Sequence, residues 1–527
     1  MNKKICKVIF GMLVFSLIFN NIPKPIQLNF LGGPVGSKLV VYPLIAAFAY
    51  TFYCQYKYKN VFVDIKPFLK YTFVFISIML LSTVVGLFNY SYYDLVLNGP
   101  VNQIEKLPKV LAFCHAHGID VDSKLLMKFW IIVRQLKGVL LEAFWCFGGT
   151  YIIYCWYKDD WRKALNICVK GVMASLAIIV VYCSIEIFYL GGNLIAKSIL
   201  SAIIPYIHIV KTSHNWWPPL LWKGQLRMVF PEPSHVGNYI AFLLPLLWYK
   251  YFSVDNTRWK VGLLSVATFL AFCIFLTKAR TAYAMFFGTI FLFFLLILWS
   301  KEYTYLKQFI AILICTSIGF GLFLGFSSLK NCKENKVQDS LITNIATSAI
   351  EDNFTSLAYE NKRSNGARYA LLHSSLKIAV QHPMLGVGNG LISAYIVENF
   401  SKADLRNKEV AMWVKNQKNY GPFSAGYSIG GAMNEYFTRL VQNGLIGLAV
   451  HIFPFTVVIY RMLRCCRENT FKYRMEFVCV LTALISSLVA GFNGSINVFY
   501  CVWVLLGLSY AMSFGTSKKK KESNESA

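Results

Sequence analysis

The stretch AYAMFFGTIFLFFLLILW, residues 282–299, decides what kind of molecule this is. Eighteen residues pass without a charge. As a helix rising about 1.5 Å per residue, the run matches a hydrocarbon core of roughly 30 Å. Lys278 and Arg280 flank it on one side, Lys301 and Glu302 on the other. Working outward, runs of the same kind recur, and the composition agrees. The chain has 527 residues, of which 56% are hydrophobic and only 15% charged. Soluble proteins carry about 25% charged residues. A soluble enzyme, a secreted disulfide scaffold and a disordered chain are therefore excluded. The net charge of +27 would suggest nucleic acid on a soluble protein. On a membrane protein it flanks the spans, and its sidedness is the informative quantity.

Hydropathy predicts about twelve transmembrane helices, at 8–20, 38–54, 71–89, 135–156, 165–190, 236–252, 260–277, 282–299, 308–328, 438–460, 475–491 and 496–514. The loops on one side are short and basic, as at Lys57, Lys59, Lys66 and Lys70 and in the tail Lys518 to Lys521. The positive-inside rule makes this side cytoplasmic, with both termini on it. The other side carries the long segments 90–134, 191–235 and 329–437. The expected organisation is residues 1–328 as nine spans, 329–437 as a large periplasmic loop with short helices, 438–514 as three more spans, and 515–527 as a basic tail. The fold class is thus all-α and polytopic. The N-terminus has the basic start and apolar run of a signal peptide but no small-residue cleavage site, so it reads as an uncleaved first span.

Of the 14 cysteines, only Cys114 and Cys332 fall in the outer loops. There is no CxxC, no Cys/His cluster with zinc spacing and no internal repeat, so no metal and no cofactor is expected. Few charges lie within spans. Lys137, Lys170 and Glu186 read as snorkelling to the interface, whereas Glu142 does not fit that explanation.

Chemistry therefore has to come from the outer segments. In 216–235, Trp216 and Trp217 precede Lys223, Arg227 and Phe230-Pro231-Glu232-Pro233-Ser234-His235. The two prolines hold Glu232 in a stiff, extended chain, and Ser234 is placed to cap the next helix. The plain reading is an interfacial loop with Trp anchors. The functional reading is a platform presenting Arg227 as anion ligand and Glu232 or His235 as proton acceptor. Next, Lys278 and Arg280 put two cations into a tight outer turn. That turn is either simply solvated or aimed at phosphate, which a guanidinium fork suits. The long loop carries Gly366-Ala367-Arg368, the run Pro383-Met384-Leu385-Gly386-Val387-Gly388, and Asn434-Glu435-Tyr436 at its end. Its glycines mimic a nucleotide loop, but the location and the absence of a βαβ context argue instead for a tight turn after a helix. The loop aromatics Trp216, Trp217, Trp413, Tyr420 and Tyr427 read first as anchors and second as sugar platforms. The apolar stretch 193–210 reads as a surface-lying helix or an extra membrane element.

These motifs occur in a telling order. Arg227-x3-Pro-x-Pro precedes a span, Arg280 sits in a turn between spans, and a long loop carries Gly-x-Arg, Pro-x-Leu-Gly-Val-Gly and Asn-Glu-Tyr. Gly444-Leu-Ile-Gly447 follows. The arrangement resembles the O-antigen ligase/polymerase superfamily, over roughly residues 220–450. In its ligases a His-Asn pair precedes Gly-x-x-Gly by nine residues, and the His is implicated in catalysis. Here Asn434 and Gly444 keep that spacing, but Met433 occupies the His position, and methionine accepts no proton. The resemblance thus favours a Wzy-type polymerase with a GT-C-like fold in the bacterial inner membrane. Such an enzyme joins undecaprenyl-diphosphate-linked oligosaccharide units into O-antigen or a related surface polysaccharide, as one step of lipopolysaccharide biosynthesis. A chain-length regulator and a flippase are its implied partners, and no nucleic acid is involved.

In that reading Arg227, Arg280 and Arg368, with Lys223 and Lys278, hold the diphosphate or sugar. Glu232, His235 and Glu435 are the candidate bases, Glu232 first. Diphosphate is a good leaving group, so no metal is required. Two alternatives stay open: a ligase of the same superfamily, and a transporter or flippase without chemistry.

Overall fold

The computed structural model describes residues 1–104, 107–210, 218–333, 363–424, 427–429, 431–468 and 472–525. Trp216 and Trp217 lie outside the described residues. So does the side chain of Cys332, while Cys114 is a free thiol. No strand occurs among the described residues. The principal helices are α1 (Lys3–Ser16), α2 (Val41–Tyr58), α3 (Ile65–Phe88), α4 (Ser123–Tyr157), α5 (Trp161–Leu190), α6 (Leu194–Ile207), α7 (Pro233–Phe252) and α8 (Thr257–Leu276). They continue with α9 (Arg280–Trp299), α10 (Leu306–Lys333), α11 (Arg363–Gln381), α12 (Ile392–Glu398), α13 (Lys408–Tyr420), α14 (Glu435–Arg467), α15 (Arg474–Val489) and α16 (Cys501–Glu525).

Eight helices among the described residues are long and apolar enough to cross a membrane: α3, α4, α5, α8, α9, α10, α14 and α15. The other four predicted spans also coincide with helices, α1, α2, α7 and α16, which are shorter or less apolar. The protein is therefore an all-helical, polytopic membrane protein. Its helices are apolar both inside and out. On α9, Phe286, Ile290, Phe293 and Ile297 are buried while Phe287, Phe291, Leu295 and Leu298 are exposed. A helix apolar on all sides has one face for the protein core and one for lipid.

One hydrophobic cluster runs through the bundle, centred on such large buried side chains as Trp248, Trp503, Phe242 and Phe477. A second, separate cluster forms a cap at one end. It joins the segment after α3 (Tyr90, Tyr93, Ile104) and the first half of α4 (Met127, Ile131) to residues of the long loop, including Leu371, Val387, Ile392 and Tyr395. Two long loops thus fold on each other into one body. Trp413 stacks on Phe400 and Tyr420 on Tyr427 within it. Helix α6 buries Ala196, Leu200 and Ile204 at helical spacing and exposes Leu194, Ile195 and Tyr206.

The sequence predicted one straight span over 438–460. The structure breaks α14 at Gly444 (φ 66°, ψ −170°). The salt-bridge geometry shows how sharp the break is. Glu435 and His451 are sixteen residues apart, which is roughly 24 Å along an unbroken helix, yet their side chains lie 3.7 Å apart. Residues 435–443 therefore form a half-helix folded back beside the start of the second half. Four of the backbone groups at the break find partners in the glycine-bearing loop. Val387 and Gly388 N–H donate to the Val441 and Gln442 carbonyls, both at 2.8 Å. Leu445 and Ile446 N–H donate to the Pro383 and Met384 carbonyls at 2.8 and 3.3 Å. Ser82 of α3 joins the knot through the Leu385 and Gln442 carbonyls. Helix α3 comes close enough that a Cβ on Gly86 would sit 2.1 Å from the Val387 oxygen. The two glycine motifs are thus halves of one joint, and the expected tight turn after a helix is found.

Behind the half-helix lies a buried ion network. Arg439 bridges Glu142 of α4 and Glu435, the latter through Nε at 2.9 Å. Glu142 adjoins the π-helical turn Ala143–Gly148, a widening that often marks a functional position. Glu186 does not snorkel: it is buried and accepts from the backbone N–H groups of Arg227 and Met228 at 3.0 and 2.9 Å. Lys137 and Lys170 are exposed.

Candidate functional site

A cavity of about 690 Å³ opens at the cap end of the bundle. Among the described residues, five segments wall it. The first is the strap before α7, through Trp222, Gln225 and Glu232. The second is the turn into α9, through Lys278, Arg280 and Thr281. The third is α11, through Asn365, Arg368 and Tyr369. The start of α14 contributes Met433, Asn434 and Phe437, and the end of α15 contributes Phe492 and Asn493.

The helix boundaries explain the character of this space. Helices α7, α9 and α14 all begin on the cavity wall. The N-terminal end of a helix carries roughly half a positive charge. Ala279 at the N-cap of α9 provides no side-chain cap. The N-cap of α7 is Glu232 rather than Ser234, because the helix begins at Pro233. The Ser234 hydroxyl instead donates to the Glu232 carboxylate, which fixes that side chain on the wall. At α14, Asn434 caps the helix by accepting from the N–H groups of Tyr436 and Phe437. This leaves Met433 in the left-handed region (φ 52°) with its side chain 48% exposed.

The cations are held by amides. Arg280 Nη1 donates to Asn365 Oδ1 at 2.6 Å, and Arg368 Nη1 donates to Asn493 Oδ1 at 2.9 Å. Thr281 Oγ1 donates to the same Asn493 oxygen at 3.0 Å. Desolvation by the surrounding protein lowers the Arg368 pKa, and the neighbouring Arg280 guanidinium lowers it further; Glu232 and Glu409 act in the opposite direction. Two guanidiniums close enough to repel each other are most stable with an anion between them.

The structure brings Arg280, Arg368, Lys278 and Glu232 together on this cavity. The other sequence candidates lie elsewhere. Arg227 is 1% exposed and donates to the Pro219 and Leu220 carbonyls at 2.9 and 2.6 Å. It laces the strap rather than facing the cavity, so the expected convergence of three arginines is one of two. Lys223 is exposed and outside the cavity lining. His235 packs edge-on against Phe499, and Glu435 is enclosed with Arg439; neither lines the cavity. Asn365, Asn493, Thr281, Trp222 and Gln225 were not foreseen. Their one sequence signal is polarity beside an apolar span, and the amides follow no spacing rule.

No curated protein matches this chain. Residues 264–452 match the protein-family model described as O-Antigen ligase. That stretch runs from within α8 to just past His451, and so takes in the Arg280 turn, α11, the glycine joint and the half-helix. Residues 264–452 thus carry a domain similar to the O-antigen ligase/polymerase superfamily, set in a multi-span helical membrane protein.

Proposed function

We propose that this protein is a polymerase that joins polyprenyl-diphosphate-linked oligosaccharide repeat units into a surface polysaccharide. The observation carrying the reading is the cavity in which Arg280, Arg368 and Lys278 face Glu232 beneath three helix N-termini. In the transfer, the bond between the donor sugar's anomeric carbon and its diphosphate oxygen breaks. A hydroxyl oxygen at the non-reducing end of an incoming unit forms the new glycosidic bond. The leaving diphosphate gains negative charge, and preorganised cations and helix N-termini stabilise that charge most where it develops. The hydroxyl proton passes to the Glu232 carboxylate, and polyprenyl diphosphate departs.

Met433 supports polymerase over ligase. It lies on the cavity wall at the position where the ligase pattern has histidine, and its thioether takes up no proton. In this reading the cap faces away from the cytoplasm, both termini lie inside, and a flippase and a chain-length regulator work beside the enzyme in the inner membrane.

The test is a reaction of purified protein with the lipid-diphosphate repeat unit of its own host, with products sized for wild type and Arg280→Ala. A ladder from wild type, lost in the variant, is expected. Intact substrate carried across a vesicle membrane without change in length would make the protein a transporter. Glycan moved once onto a different acceptor would make it a ligase.

A further inference from the structure

The strap from Pro219 to Pro233 is more rigid than its length suggests. Arg227 ties its start, through the Pro219 and Leu220 carbonyls. Glu186 holds its middle through two backbone N–H groups, and Leu226 N–H donates to the Leu276 carbonyl at 3.0 Å. Trp222 Nε1 closes it by donating to the Pro231 carbonyl at 3.1 Å, and Tyr189 donates its hydroxyl to the Trp222 carbonyl. Besides Glu232 and Pro233, this laced segment lines the cavity with Trp222 and Gln225. No aromatic ring packs on Trp222 among the described residues, and Gln225 makes no hydrogen bond to them. Both are half-buried.

The cavity therefore has two chemically different walls. The α9 and α11 side is cationic. The strap side carries, besides the Glu232 carboxylate, two neutral groups: a fixed indole and an amide that offers donors and an acceptor together. A sugar ring needs that combination: its C–H face is apolar and its hydroxyls both donate and accept. The volume of about 690 Å³ lies in the range of small-molecule sites and exceeds what a diphosphate alone fills.

We propose that Trp222 and Gln225 form a saccharide subsite for the sugar next to the diphosphate, with Trp222 stacking on the ring and Gln225 bonding its hydroxyls. Arg227 and Glu186 are positioning residues that hold this wall in place. The assignment rests on the glycosyl-transfer reading above and adds the residues that read the sugar.

The experiment uses the full-length protein in lipid nanodiscs. It compares wild type, Trp222→Ala, Trp222→Phe and Gln225→Ala. The substrate is the host's lipid-diphosphate repeat unit, and the competitor is polyprenyl diphosphate without sugar. Trp222→Ala is expected to raise KM for the glycosylated lipid about 5- to 10-fold, with the inhibition constant of the sugar-free lipid unchanged. Trp222→Phe restores most of the loss, and Gln225→Ala raises KM about 3-fold, the scale of one hydrogen bond. Parallel movement of KM and inhibition constant, or no movement of either, overturns the subsite. If Trp222→Ala does not fold, the Phe and Gln225 variants carry the same comparison. If wild type binds both lipids but makes no ladder, the polymerase reading fails; direct binding of the two lipids to the same variants then still decides the subsite.

Discussion

Replacing Gly444 by alanine tests the central joint of the fold. The native conformation, φ 66° with ψ −170°, belongs to a region open essentially to glycine alone. Occupying it with a side chain costs about 1–3 kcal/mol. The added Cβ would also lie 2.2 Å from the carbonyl carbon and oxygen of Met384. That contact is with backbone, so relief requires the loop 383–388 to withdraw. Four hydrogen bonds depend on its position, at a net value of about 1 kcal/mol each. Strain and withdrawal are alternatives as much as additions, so the expected destabilisation is about 3–5 kcal/mol, a large part of a typical total. Equilibrium unfolding in detergent, with ladder formation measured in parallel, reads the effect. The control is Gly288→Ala, because Gly288 has helical backbone and no atom within 4 Å of its Cβ position. That variant is expected to fold and to work like wild type. If Gly444→Ala is indistinguishable from Gly288→Ala, the half-helix does not depend on the glycine joint and the reasoning is wrong.

Arg439→Met leaves Glu142 and Glu435 as unpaired buried carboxylates, with an expected loss of about 3–5 kcal/mol in the same unfolding assay; Arg439→Lys, which keeps the charge, loses less. Arg368→Ala and Arg280→Ala are both expected to weaken inhibition by sugar-free polyprenyl diphosphate together with turnover, because both guanidiniums face the same space. Arg227→Met behaves differently: two strap carbonyls lose their donor, stability falls by about 2–4 kcal/mol, and inhibition by the sugar-free lipid persists in the folded fraction. Weakened diphosphate binding in a folded Arg227→Met protein would put that guanidinium back at the ligand.

The helices were legible because a span is a local property. Eighteen apolar residues say the same thing wherever they sit, and each of the twelve predicted stretches overlaps a helix. What the sequence hid depends on contacts between distant segments. Hydropathy sees residues 438–460 as one run, since Gly444 is small and apolar. Its positive φ is needed only because residues 383–388 dock there. Arg227 and Arg280 look alike in one dimension, as arginines in outer segments shortly before an apolar span. They differ because Pro219 and Leu220 turn their carbonyls toward one and Asn365 reaches the other. Glu435 was nominated as a base on its place in the loop motif. Arg439, one helical turn later, and Glu142, from the fourth helix, enclose it instead.

These separate features share one consequence for the cavity. Three helices begin there, and something must hold each start at that depth. The glycine joint and the Arg439 network fix α14, and the laced strap fixes α7. Arg280, the first residue of α9, is tied to α11 through Asn365. The sites of reinforcement are therefore those that position charge, and all but the Arg280–Asn365 tie lie mainly behind the wall rather than on it. A developing anion gains most from dipoles that need not reorganise when it appears. An assembly that places the Arg439 ion network, the glycine-only backbone turn at Gly444 and the buried Arg227 around this cation-lined space is built to keep that space rigid. Loosening any one of the three supports should then slow transfer more than it weakens ground-state binding, because the stabilisation lost is specific to charge that appears in the transition state.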